Sequence, residues 1–278
     1  MSLRMPAEHG AWGMLGVPFA CAVAVGGVGS GEAWPLVLAT LAILSVFLLR
    51  ASLEAARSWR AIALPAHIGL GAIAIASGFA LLFLHDRWPL FWLALAAALL
   101  YVIQRLLVRQ HEADRTSGSE ERVRRAEKHS LAAELLGVSL LSLTAPAAWV
   151  AIRGQLESVA LELWAGNLLF FIGGVLYVKY RVRGLHAHRA FRSLGERIGF
   201  AWPVFVYHLA LAAFVAGWIL LESRPALIIL AFAPAIFRAF QLAFQLGERF
   251  PIRRLGWSEV AHSVVFATLQ ILAFRISH

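Results

Sequence analysis

Nine apolar runs separated by polar segments leave this 278-residue chain few ways to fold. A helix needs about 20 apolar residues to cross about 30 Å of hydrocarbon. On that measure the runs fall near 10–28, 34–49, 61–84, 88–103, 130–152, 161–178, 198–221, 225–246 and 257–274. Each is predicted to be helical, because a backbone in lipid has to satisfy its own hydrogen bonds. The run at 34–49 is short, and the one at 225–246 carries Arg238, Gln241 and Gln245 in its second half. Connections such as 29–33 and 222–224 are brief, so successive helices are expected to pack as antiparallel neighbours. The expected fold is an all-α polytopic membrane bundle of about nine transmembrane helices, a single domain over 1–278 with a charged cytoplasmic connector at 104–129.

Hydrophobic residues make up 60% of the chain and charged ones 15%, whereas soluble domains run about 45–50% and about 25%. A net charge of +9 raises the question of nucleic acid. The basic residues, however, do not form a patch interleaved with aromatics on a soluble fold. Instead, 21 of the 25 fall in alternate polar segments. These are Arg4; Arg50, Arg57 and Arg60; Arg105 through Lys128; Lys179 through Arg197; and Arg238, Arg249, Arg253 and Arg254. Only Arg87, Arg153, Arg224 and Arg275 fall on the other side. Cytoplasmic loops collect Lys and Arg, so this bias predicts an amino terminus inside and a carboxyl terminus outside. Membrane lipids, not nucleic acid, are the expected partners, since the anionic inner leaflet attracts such segments.

The single cysteine, Cys21, excludes an intramolecular disulfide. Arg4 and Ala20-Cys21-Ala22 imitate an export signal, but the first run of 19 residues exceeds the about 7–15 of a signal core and is read as a retained span.

Two cytoplasmic segments stand out. In 104–129, Ser117 and Glu120 read as a capping box, with Glu121 and Arg125 as a supporting i,i+4 pair on a solvated connector. From Lys179 to Arg197 the chain carries Lys179, Arg181, Arg183, Arg189, Arg192 and Arg197 with His186 and His188, against one acidic residue, Glu196. Such a stretch either rests on anionic headgroups, at about 1 kcal/mol per basic residue, or holds a phosphate through converging guanidinium forks.

Ionisable groups at membrane depth cost at least about 2.5–3.5 kcal/mol and normally face the bundle interior. His9 lies in Glu8-His9-Gly10-Ala11-Trp12, where Gly10, Gly13 and Gly16 offer a small-residue strip for close helix approach. Glu134 sits about one turn into the fifth run with no basic neighbour in sequence, and Glu259 and His262 share one face at the start of the ninth. His9, Glu134 and Glu259 are the candidate catalytic or proton-handling groups. Each also has a plain structural reading, the carboxylates as partners of a helix amino-terminal dipole and His9 as an interfacial anchor. His67 and His208 read as core histidines, and Asn167 as an interhelical hydrogen-bonding group. No metal site is assigned, since Glu259-x-x-His262 alone lacks ligands from a second helix, and the cofactor stays unknown.

The segment Glu8 to Trp12 followed by Pro18, the Leu131-Ala132-Ala133-Glu134 stretch, Val175 to Arg183, and Arg254 to Glu259 together resemble the YwiC-like family of bacterial membrane proteins. The resemblance implies a bacterial cytoplasmic-membrane protein and carries no activity. Nine helices with polar cytoplasmic loops after the second and sixth are more loosely similar to UbiA-type membrane prenyltransferases. Those enzymes hold a prenyl pyrophosphate through magnesium on aspartate-rich motifs. Here the corresponding loops, Arg50 to Arg60 and Lys179 to Arg197, contain no aspartate, and Glu54 and Glu196 are their only carboxylates. Hard cations need several oxygen ligands, so the magnesium site does not carry over.

Two functions follow. The first is a cytoplasm-facing intramembrane site for an anionic lipid or isoprenoid phosphate, with Arg50, Tyr177, Lys179, Arg181 and Arg183 as substrate-binding residues and Glu134 or Glu259 as proton acceptor. The alternative is a proton-coupled transporter or accessory membrane subunit gated by Glu134 and His9.

Overall fold

The computed structural model describes residues 9–29, 31–55, 64–115, 120–186, 191, 193–222, 226–248 and 250–276. Its helices are α1 (His9–Gly26), α2 (Ala33–Ala55), α3 (Leu64–Phe79), α4 (Pro89–Arg115), α5 (Glu120–Ser142), α6 (Thr144–Arg153), α7 (Ser158–His186), α8 (Leu194–Glu222), α9 (Leu227–Gln245) and α10 (Ile252–Ile276). A single π turn, Ala80–Leu84, prolongs α3. No strand occurs among the described residues. Among the described residues eight helical stretches are long and apolar enough to cross a membrane, and α1 supplies a shorter apolar helix. The expected all-α polytopic bundle is therefore the observed architecture. Side chains such as Trp92, Leu220 and Phe237 are exposed, as lipid-facing positions of spanning helices must be.

The fifth span departs from the single rod expected over 130–152. It is made of α5 and α6, which meet at Leu143. Pro146 has no N–H to give the Ser142 carbonyl, so the regular ladder cannot continue through this point. Thr144 Oγ1 settles 2.8 Å from the Leu15 carbonyl of α1 and 3.0 Å from that of Leu141. α6 then stops at Gly154, whose φ of 82° suits a residue without Cβ, and Arg87 Nε donates to the carbonyl of buried Ala151 at 3.2 Å.

The described residues fall into two compact units. Unit 1 draws on Met1–Ile103 and Leu140–Trp164, and unit 2 on Gln104–Ser139 and Ala165–His278. In unit 1, α1 packs on α6, and α2 packs on both α3 and α6. Close approach of α1 occurs at Gly26, where a Cβ would stand 3.5 Å from the Trp149 ring. This corrects the expectation for Gly10, Gly13 and Gly16: among the described residues nothing lies within 4 Å of a Cβ at any of the three. In unit 2, α9 lies between α8 and α10, and Leu176, Tyr177, Ala201, Val204, Ala239 and Leu242 build the core.

The charged connector is helical before Ser117 as well as in the segment that the capping box was expected to open. α4 runs on to Arg115 and α5 begins at Glu120. The capping role of Ser117 and the Glu121–Arg125 pair lie outside the described residues and side chains, as do His188, Arg189 and Arg192.

Candidate functional site

α7 organises the polar groups of unit 2 because steps of three and four residues bring side chains onto one helical face. Asn167, Phe170, Gly174, Tyr177 and Arg181 follow that spacing. Each meets α9, α10 or the turn between them. Asn167 Nδ2 donates to Gln270 Oε1 at 2.9 Å. One turn on, the Phe170 and Phe266 rings stack with centroids 4.1 Å apart. A Cβ at Gly174 would stand 3.3 Å from Glu259 Oε2 and 3.7 Å from an Arg238 nitrogen, so the missing side chain is what admits this charged pair.

Arg238 of α9 grips Glu259 of α10 with both terminal nitrogens; the second bond, to Oε2, measures 2.9 Å. This is the planar fork-to-carboxylate geometry that arginine favours. The guanidinium also lies 4.6 Å from the centroid of the Tyr177 ring. Tyr177 is fixed in turn by its hydroxyl, which donates to Gln245 Oε1 at 3.1 Å. Arg238 and Gln245 of the 225–246 run thus have partners that no local pattern could supply.

Arg181 ends the column. It is buried, at 7% exposure, and its guanidinium stacks 4.5 Å from the Phe250 centroid. Among the described residues the one carboxylate in ion-pair range is that of Glu248, at 3.9 Å. Phe250 belongs to the α9–α10 turn, which Gly247 opens with a φ of 87°.

Lys179 and Arg183 lie on the other side of α7, since residues two apart do not share a face. Lys179 Nζ donates to Glu134 Oε2 of α5 at 2.9 Å, and Ser130 Oγ donates to the other carboxylate oxygen at 3.2 Å. Arg183 lies 5.8 Å from the Tyr180 ring centroid. The cations Lys179, Arg181 and Arg183 therefore do not converge as a single cradle, and Glu134 and Glu259 hold separate partners.

His9 is the first residue of α1 and its side chain lies outside the described ones. Arg50 in α2 pairs with Glu54 at 3.1 Å and lies 5.1 Å from the Tyr101 ring centroid, within unit 1. His262 sets Nδ1 2.6 Å from the Ser258 carbonyl of its own helix. Among the described residues no three His, Cys, Asp or Glu side chains are placed to hold a metal ion. Sequence reasoning passed over Arg238, Gln245 and Phe250. The signal available was a bilayer-depth arginine, which demands an anionic partner.

The YwiC-like protein family profile matches residues 5–120. A Bacillus subtilis (strain 168) protein, described as uncharacterized protein YwiC, is 26% identical over 98% of this chain and 98% of its own length. The chain is similar to the YwiC-like proteins. No solved structure matches it. The profile spans α1 to α4, while alignment with the Bacillus protein extends through nearly the whole chain, unit 2 included. The chain is a multi-pass membrane protein.

Proposed function

We propose that this protein resides in the bacterial cytoplasmic membrane and binds an anionic headgroup through Arg181, at the cytoplasmic end of unit 2. The observation that carries the reading is the incomplete pairing of Arg181. It is buried and lies over the Phe250 ring, and among the described residues its one carboxylate in ion-pair range stands 3.9 Å away. That separation exceeds hydrogen-bond range. A buried charge is costly unless it is paired and hydrogen-bonded, and a phosphate oxygen pair would supply the bidentate partner that Glu248 does not. Exposed Arg253 and Arg254, at the start of α10, add headgroup attraction of about 1 kcal/mol each.

Lys179 and Tyr177 support this site indirectly, one neutralised by Glu134 and the other holding Arg238. Glu134 and Glu259 act here as counter-ions, not as proton acceptors. A phospholipid and an isoprenoid phosphate present the same phosphate oxygens, and mass spectrometry of the purified protein separates them. Arg181→Ala with Arg183→Ala is expected to remove the copurifying phosphorylated lipid, with Lys179→Ala as the comparison. Unchanged lipid content in the double variant would refute the reading.

A further inference from the structure

His208 of α8 is 1% exposed, and its ring is aimed at α7, where a Cβ at Gly173 would stand 3.0 Å from Nε2. Its Nδ1 lies 2.7 Å from the Val204 carbonyl. A carbonyl only accepts, so Nδ1 carries the proton and Nε2 of the neutral ring presents a lone pair. Among the described residues no group meets that lone pair. One residue further along α7, Gly174 faces Arg238, itself 6% exposed. Both terminal nitrogens of Arg238 go to Glu259, yet among the described residues its Nε–H has no partner. Gly173 thus faces a buried acceptor from α8, while Gly174 faces a terminal nitrogen of the α9 arginine whose Nε–H is also unmet among the described residues. Leaving such atoms unpaired in a buried place is costly.

The surroundings restrict what could answer them. Tyr207, beside His208, is already committed, its hydroxyl donating to the Leu169 carbonyl at 2.7 Å. The stacked Phe170 and Phe266 rings occupy the next turn of α7, and Phe232 packs edge-on against Phe266 at 5.2 Å. A carboxylate or a phosphodiester has no hydrogen to give Nε2, and an ammonium has no lone pair for the Arg238 N–H. A hydroxyl has both.

We propose that His208 and Arg238 form an internal recognition site for a hydroxyl group, which donates to His208 Nε2 while oxygen of the same occupant accepts from Arg238 Nε. Water and a membrane alcohol share this chemistry. The site is independent of headgroup binding, because none of its groups contacts Arg181.

Nitrogen NMR of histidine-labelled protein in nanodiscs tests the proposal, with and without carbon-labelled octanol. The expected result is an Nδ1–H tautomer at neutral pH, with His208 Nε2 shifted from the position of a bare lone pair. A cross-peak to a hydroxyl proton in octanol-free discs identifies water. A cross-peak that needs octanol identifies an alcohol. Gly173→Ala, which drives a Cβ against Nε2, should abolish either cross-peak, and Arg181→Ala should leave it intact. An Nε2–H tautomer in the unaltered protein, or a bare lone pair under both conditions, would overturn the proposal whether or not the variants fold.

Discussion

Lys179 Nζ and Glu134 Oε2 meet at 2.9 Å across 45 residues of chain, tying α7 to α5 at the end of unit 2 where the basic residues gather. The lysine is largely covered, but the glutamate side chain is 43% exposed. Partly solvated pairs of this kind contribute little, because water screens them and ordering two side chains costs entropy. A double-mutant cycle with Lys179→Ala and Glu134→Ala, read by thermal unfolding in detergent, should give a coupling energy of about 0.5–1 kcal/mol. A coupling several times larger would mean that the pair is dry and central to the fold.

Arg238 and Glu259 should behave differently. Their fork is bidentate, backed by Tyr177, and the arginine is buried. Removing one member strands the other in a low-dielectric interior, at about 3–5 kcal/mol, whereas an apolar replacement of both can be close to neutral. Glu259→Leu or Arg238→Met alone should therefore lower stability sharply, and the double replacement should recover much of the loss. Additive losses would show that the two residues are not each other's main partner.

Much of this fold was legible in the sequence and much of the site was not, for reasons visible at particular residues. Span positions follow from hydropathy, which is a local sum, and the helices lie where the apolar runs do. Ends set by tertiary contacts were missed. α2 continues beyond the apolar run to Ala55 because Arg50 finds Glu54 and the Tyr101 ring. The break at Leu143 depends on Pro146 together with the Leu15 carbonyl of another helix. The candidate carboxylates were visible as charges at membrane depth, but their cations lie 45 and 21 residues away, a distance that no spacing rule spans. The Lys179, Arg181 and Arg183 trio looked like one cluster only because alternation around a helix is invisible in a linear string.

Asn167 was expected to act as an interhelical hydrogen-bonding group, and its bond to Gln270 is buried. Bonds of this kind within a membrane average about 0.6 kcal/mol and reach about 1–2 kcal/mol in model helices. Asn167→Leu should cost about 1 kcal/mol in a reversible unfolding assay and leave copurifying lipid unchanged, since the Phe170–Phe266 stack separates this bond from Arg181. Loss of lipid in that variant would place the headgroup much deeper than Arg181.

Membrane threading is the premise beneath all of these expectations, because Arg181 can meet a cytoplasmic-leaflet phosphate only if the basic ends of α7 and α10 face the cytosol. Paired reporters fused to the two termini, one active only in the cytoplasm and one only outside it, measure this directly. The account predicts cytoplasmic signal at the amino terminus and external signal at the carboxyl terminus, as an odd number of crossings requires. Both termini reporting from one compartment, or the two signals reversed, would contradict it.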